Sequence, residues 1–270
     1  MKRIVITGAC GHLGQKVFNM LAQADGYEVC GLDLLPSDHP DIHFADFATT
    51  EEWVEHLKDK DVIIHLAGDR DPQASWDSAI RNNMDATLNL YHHAVNLGIQ
   101  RFIFASSNWV QGGRRFGTHR LTTTLAPHPI NAYGMSKLYG ELTGAYFANQ
   151  HGLSVICLRI GWIQWTHDNK PGKHMAMGRW GQEMWLSDRD FLNGMQCAIA
   201  AENIDYEVLN LMSDNPGMHW DIETTKRVIG YQPQDGHSPN VNVVARLQSA
   251  AVKLVIHRLP GFLVSRFPDW

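Results

Sequence analysis

Arg3-Ile-Val-Ile-Thr7, followed without interruption by Gly8-Ala-Cys-Gly11-His-Leu-Gly14, is the stretch whose reading decides the fold. Five residues rich in β-branched side chains read as a buried strand, and the glycine stretch that follows is expected to open a helix running through Ala24. Glycines at 8, 11 and 14 allow a tight turn, close approach of a ligand to the backbone, and packing of the helix on the strand. The helix N-terminus adds unpaired N–H donors and the positive end of a dipole, a ready site for an anion such as a pyrophosphate. A glycine triplet alone is a weak signal; strand before and helix after make it a specific one.

A second strand, expected over 28–32, ends in Asp33, nineteen residues beyond Gly14. An acid at that spacing can accept hydrogen bonds from both hydroxyls of an adenosine ribose and repels a 2′-phosphate. No Arg or Lys lies between Asp33 and Lys58 to reverse that preference, so NAD is the expected cofactor. Further along, alternating strands and helices argue a Rossmann-type, doubly wound parallel α/β sheet.

Chemistry enters with Tyr133-Gly-Met-Ser-Lys137, downstream of Ser106-Ser107-Asn108. Positions i and i+4 share one helix face, so phenol and ammonium can meet. A free phenol titrates near ~10 and is a poor proton acceptor at neutral pH. A cation about 4 Å away at an effective dielectric near ~20 favours the phenolate by about 4 kcal/mol, before solvent screening. Lys137 is therefore expected to lower the Tyr133 pKa.

Together these segments resemble the extended short-chain dehydrogenase/reductase family, its NAD-dependent epimerase/dehydratase branch, over residues 1 to about 230. The matching segments include Asp46-Phe47 after a third strand, His65-Leu-Ala-Gly68 closing a fourth, and Asn83-Met-Asp-Ala-Thr87 in the next helix, with Ala86 where the family has glycine. Phe102 to Asn108 matches the fifth strand and Leu158-Arg-Ile-Gly161 the sixth. The resemblance implies that Ser107, Tyr133 and Lys137 are catalytic, with Ser106 a weaker candidate for the serine. It implies that Gly8, Gly11, His12, Leu13, Gly14, Asp33, Asp46, Phe47, Leu66, Ala67, Gly68, Asn83, Tyr133, Lys137 and Ile160 hold NAD.

Within that family the chain is most similar to uronate dehydrogenases and archaeal glucose-6-phosphate dehydrogenases, through Ser106-Ser107-Asn108, Arg159-Ile-Gly161 and Arg179 to Phe191. Such relatives oxidise the C1 hydroxyl of a cyclic aldose to an aldonolactone, so a sugar with a carboxylate or phosphate at its far end is the expected substrate. Arg179 is the first candidate for the matching cation, with Lys173, His174 and Arg114 behind it. Asn108 is expected to hydrogen-bond a sugar hydroxyl. Trp109 and Trp162 stand where uronate dehydrogenases carry His and Ser, and are candidates for stacking on the sugar. A nucleotide-sugar epimerase/dehydratase and a non-catalytic dinucleotide-sensing module are the alternatives; the intact Ser107, Tyr133 and Lys137 argue against the second.

Composition is consistent with these expectations. A chain of 270 residues, 44% hydrophobic, can bury one large core. Three segments are expected: an NAD-binding unit at 1–160, a small substrate-binding lobe at 161–240, and a C-terminal helix and tail at 241–270. A net charge of −5 gives no reason to expect nucleic acid. No apolar run is long enough to span a bilayer, no signal peptide is evident, and Cys10, Cys30, Cys157 and Cys197 lack CxxC spacing, which suits a reducing cytoplasm. The basic amphipathic pattern over 241–260 is read as a packing face rather than a membrane surface. Fifteen scattered histidines suggest no metal site. Long helices are expected over 75–97 and 131–150, and their outer faces suit a homo-oligomer, a dimer or larger.

Overall fold

The computed structural model describes residues 1–49, 52–115, 117, 119–166, 168–171 and 178–238. The C-terminal helix expected over 241–260, and the candidates Lys173 and His174, lie outside the described residues.

Seven strands run parallel in one sheet: β1 Lys2–Thr7, β2 Tyr27–Asp33, β3 Ile42–Phe44, β4 Val62–His65, β5 Arg101–Ser107, β6 Ser154–Ile160 and β7 Tyr206–Leu211, in the order β3-β2-β1-β4-β5-β6-β7. Side chains alternate between two cores, as a sheet covered on both faces requires. Ile4 and Ile6 of β1 point to the face packed by helices α1 (His12–Ala22) and α6 (Asp188–Ala200). Val5 points to the face packed by α3 (Ala86–Asn96) and α4 (Ala132–His151). Successive strands depart from β1 in one direction and from β4 in the other, so the crevice between the carboxyl ends of β1 and β4 is the natural ligand position for this topology. Thr7 and His65 face each other across that crevice, Oγ1 to Nδ1 at 2.7 Å.

The boundary expected at residue 161 does not divide the sheet. β7 pairs with β6 from Val155↔Tyr206 to Ile160↔Leu211. The apolar face of α6, which follows the side-chain cap of Ser187 on the Asp190 N–H (3.0 Å), packs in the same core as α1. What is separate is a small cluster of Leu121, Trp180, Met184, Met212, Trp220 and Ile222, which includes the short helix α5 (Gly178–Glu183).

The long helix expected over 75–97 is three pieces: α2 Trp76–Ser78, a π-helical segment Ala79–Asp85, and α3. Its start is capped by Ser75, whose hydroxyl accepts the Ser78 N–H at 3.1 Å. By contrast, α4 is one regular helix, capped by Asn131 on the Gly134 N–H (2.7 Å) and ended by Gly152 at φ +69°.

Candidate active site

The glycine loop has no room for side chains at two of its three glycines. A Cβ on Gly8, which lies at φ +73°, would sit 2.7 Å from the Ala67 nitrogen, and one on Gly14 would sit 1.9 Å from the Gly8 carbonyl oxygen. Gly11 is the N-cap of α1 and supplies no side-chain acceptor, and the first turn holds no acid. The donors there remain directed toward the crevice, an arrangement suited to a pyrophosphate.

Asp33 ends β2 with 6% of its surface exposed. Its Oδ2 accepts the Cys10 N–H and its Oδ1 the Leu35 N–H, both at 2.8 Å. Each oxygen keeps one lone-pair site for a ribose hydroxyl. Asp46 is held by Arg81 (Nη2–Oδ2 2.5 Å) and the Ala48 N–H (3.1 Å), and the Arg81 hydrogen bond holds its carboxyl below the usual range. Arg81 thus reaches the adenosine end from the π-helical segment, a position that the residues following Asp33 gave no means of anticipating. The Phe47 ring packs edge-on to Trp53 (5.1 Å) in the core, so any contact it makes with a cofactor is through its backbone.

Gly68 follows β4 at φ +139°, and a Cβ there would meet Asn83 Oδ1 at 2.7 Å. Asn83 is buried and ties three segments together: its Oδ1 accepts the Asp69 N–H (2.7 Å), and its Nδ2 donates to the Asp69 carbonyl and to Ser136 Oγ (both 2.9 Å). Ser136 in turn donates to the Tyr133 carbonyl at 2.8 Å. His65 lies between Thr7 and Thr87 and is pushed down to about 3 by burial, with the Lys137 charge acting in the same sense; it is a neutral core histidine.

Period-two alternation along β5 separates the two serines. Ser106 points below the site and donates to Glu141 Oε1 at 2.5 Å, where Arg159 grips the same carboxylate through Nε and Nη2, each at 2.8 Å. Removing one member of such a buried ion pair costs about 3–5 kcal/mol. Ser106 is thereby committed to the foundation. Ser107 faces the site, where its Oγ accepts the Trp109 N–H (3.2 Å) and its hydroxyl acts on the Tyr133 phenol, pulling the phenol pKa down.

The expected electrostatics require correction. Burial raises the Tyr133 phenol above its ordinary value, and the hydrogen bond with Ser107 opposes that rise more than any other group does. Lys137 is not what lowers it. The Lys137 Nζ lies 5.8 Å from the Tyr133 ring centroid and 5.2 Å from that of Phe104, and burial lowers its own pKa to about 8. Desolvation inside the crevice outweighs the attraction anticipated for two groups sharing an open helix face.

The substrate-side residues divide. Asn108 donates from Nδ2 to the Ile160 carbonyl (3.1 Å), while its buried Oδ1 has no partner among the described residues. The Trp109 ring packs under Gly112, where a Cβ would lie 2.8 Å from Cε3, so it supports the turn from within. Trp162 bridges to Trp185 and packs on the small tryptophan-rich cluster. Arg179 is paired with Glu183, whose other oxygen takes the ring of His219 at 2.7 Å, so its charge is already compensated. Arg114 donates to Gln111 Oε1 (3.1 Å) and to the Ala126 carbonyl (3.0 Å). A cation that sequence reasoning did not single out, Arg70, lies two residues past Gly68. Its guanidinium lies 3.9 Å from the Trp165 ring centroid, and Trp165 also packs on His12, whose ring lies 4.5 Å away and whose Nε2 is 2.6 Å from the Gln164 carbonyl. The charge of Arg70 is felt at the Tyr133 phenol, which it lowers.

Fold and site together define a dinucleotide-binding Rossmann protein with a Ser-Tyr-Lys constellation at the carboxyl end of its central strands. The chain belongs to the NAD dependent epimerase/dehydratase family, whose profile it matches over residues 4–164. It is 35% identical over 251 residues to an NAD-dependent glucose-6-phosphate dehydrogenase of Haloferax volcanii, covering 86% of this chain and 93% of the relative. An L-arabinose 1-dehydrogenase (NAD(P)(+)) of the same organism is 32% identical over 249 residues, covering 87% and 97%. Among solved structures, a glucuronic acid dehydrogenase from Chromohalobacter salexigens superposes with a TM-score of 0.76 at 28% identity, covering 93% of this chain and 89% of that one.

Proposed function

We propose that this protein is an NAD-dependent dehydrogenase that oxidises the C1 hydroxyl of an acidic aldose, a hexuronate or hexose phosphate, to the aldonolactone. The observation that carries the reading is the placing of Ser107, the Tyr133 phenol and Lys137 together at the end of β5, next to the glycine-loop crevice. Its similarity to the glucose-6-phosphate and glucuronic acid dehydrogenases supports the substrate class.

The residues fit the cofactor: the N-terminus of α1 for the pyrophosphate, Asp33 for the adenosine ribose, and Lys137, which has no hydrogen bond to a described residue, for the nicotinamide ribose. NAD supplies the hydride acceptor. Tyr133 takes the proton of the C1 hydroxyl, Ser107 holds the same oxygen, and Lys137, on the same helix as Tyr133, places its ammonium in the desolvated site beside them. The unpartnered Asn108 Oδ1 receives a sugar hydroxyl. Arg70, clamped against Trp165, faces the anionic end of the sugar.

The chain acts in the cytoplasm, as its four free cysteines suit. Among the described residues no helix is long and apolar enough to cross a membrane. It pairs with a second copy through α3 and α4, on whose outer surface Leu88, Met135, Leu142 and Tyr146 are exposed.

NADH formation by the purified protein, with galacturonate, glucuronate, glucose 6-phosphate, L-arabinose and neutral hexoses as substrates and NADP run in parallel, tests the reading. NADH from an acidic aldose is the expected result. Silence on every aldose, with NAD retained by the protein, would overturn it in favour of nucleotide-sugar epimerisation or dehydration.

A further inference from the structure

At the adenosine edge of the sheet, away from the catalytic residues, the fold assembles three ligating side chains that are evenly spread in sequence. Cys30 is on β2, His43 on the edge strand β3, and His56 on the 3-10 turn Glu52–Leu57 that crosses above them. Twelve residues separate each from the next. The register Leu32↔His43 puts His43 on the same face of the sheet as Cys30, because positions 30 and 32 point the same way. The Cys30 sulfur and one nitrogen from each imidazole all lie within 4.8 Å of one another. The two imidazoles stack with centroids 4.1 Å apart and planes 10° from parallel.

The cluster opens into a cavity of about 300 Å³ whose rim includes Glu28, Asp41, Glu55 and Lys60. The two lysines at this edge are each paired with an acid, Lys58 with Glu55 (2.6 Å) and Lys60 with Glu28 (3.0 Å). One thiolate and two neutral imidazoles with an open fourth position is a donor set for a borderline dication, not for magnesium or calcium, which prefer oxygen. Tetrahedral coordination at about 2.0–2.1 Å to nitrogen and about 2.3 Å to sulfur places ligand atoms about 3.3–3.6 Å apart. The three atoms, within 4.8 Å of one another, therefore need to close by up to about 1.5 Å, within reach of side-chain rotation at a partly open surface.

We propose that Cys30, His43 and His56 bind one zinc-class transition-metal dication, which fastens the three-residue edge strand β3 and the Glu52–Leu57 turn to β2. Binding replaces the Cys30 thiol proton, and solvent completes the fourth position. The clip would hold the adenosine end of the crevice, because Asp33 lies three residues past Cys30 and Asp46 three past His43. The site is independent of the catalytic reading, and its test needs no substrate.

The experiment uses the full chain, stripped with a chelator and titrated with cobalt(II) as a spectroscopic probe. One equivalent should produce a thiolate-to-cobalt charge-transfer band together with the intense visible bands of a four-coordinate ion, and zinc(II) should displace it. Cys30→Ser should abolish the charge-transfer band, and His43→Ala and His56→Ala should each weaken binding at least tenfold, while circular dichroism shows every variant folded. Should a variant fail to fold, mapping of thiol alkylation in the unaltered protein decides: zinc must protect Cys30 and leave Cys10 and Cys197 reactive. Absence of the band in the unaltered protein, a band that survives Cys30→Ser, or Cys30 alkylated equally with and without zinc would overturn the proposal.

Discussion

Asp33→Ala tests the cofactor site at one carboxylate. Two of the roughly four lone-pair sites on that group are taken by the Cys10 and Leu35 N–H donors at 2.8 Å, which fix its orientation. The two that remain match the two hydroxyls of an adenosine ribose. Losing both bonds removes about 1–3 kcal/mol of binding, allowing for exchange with water. At 1.4 kcal/mol per decade, the dissociation constant for NAD rises roughly 5- to 150-fold. Titration calorimetry on the purified variant reads this directly. Asp33→Asn is the companion, keeping an acceptor while removing the charge that repels a 2′-phosphate; it should narrow the preference for NAD over NADP with a smaller loss of NAD affinity. NAD affinity unchanged in Asp33→Ala, or an unaltered protein that binds NADP as tightly as NAD, would refute the assignment of Asp33 to the ribose.

Three further outcomes are expected. Tyr133→Phe should abolish turnover and leave NAD binding within about twofold by calorimetry; substantial residual turnover would place the base elsewhere. Arg70→Ala should raise KM for an acidic aldose at least tenfold and leave KM for a neutral aldose nearly unchanged; equal effects on both would remove Arg70 from the anion site. Stability should fall with acid in a window set by His65, whose folded pKa is about 3 against an ordinary value of 6.5. Below pH 6.5 the unfolded chain takes up a proton that the folded chain does not, so stability falls by about 1.4 kcal/mol per pH unit down to about pH 3. Urea midpoints measured across that range should slope less steeply in His65→Gln, and parallel slopes would contradict the burial of a neutral imidazole.

The glycine stretch, Asp33 and the Ser107, Tyr133, Lys137 set were legible because each depends on local spacing: a turn that only glycine can make, or an i,i+4 face. The first two strands were legible as apolar runs, and the third to sixth came with the resemblance to the family. β7 was not located, because Asn210 is polar and buried within it, satisfied by donating to the Leu121 and Asp221 carbonyls (2.8 and 3.0 Å), bonds that sequence spacing does not reveal. Long-range pairings hid the rest. Arg70 and Arg81 gain their positions from a loop and a helix remote from Tyr133 and Asp46, and the Cys30, His43 and His56 cluster exists only once β3 lies beside β2. The pairing of Arg179 with Glu183 was hidden in the same way. The Tyr133 pKa was misjudged in sign because spacing reports proximity and says nothing of desolvation, the larger effect here.

The π-helical segment Ala79–Asp85 carries both Arg81 and Asn83, one reaching Asp46 and the other joining the Asp69 loop to Ser136. Each residue added to or removed from a helix turns everything beyond it by about 100°. Deleting a single residue there would let the wider turn relax to ordinary α pitch, swinging either these two side chains or the apolar face of α3 out of alignment. Chain length in this segment is therefore as constrained as side-chain identity: substitutions can be absorbed one at a time, but a frame-preserving loss of one codon would disturb the Asp46 end of the crevice, the helix that carries Tyr133 and the core together.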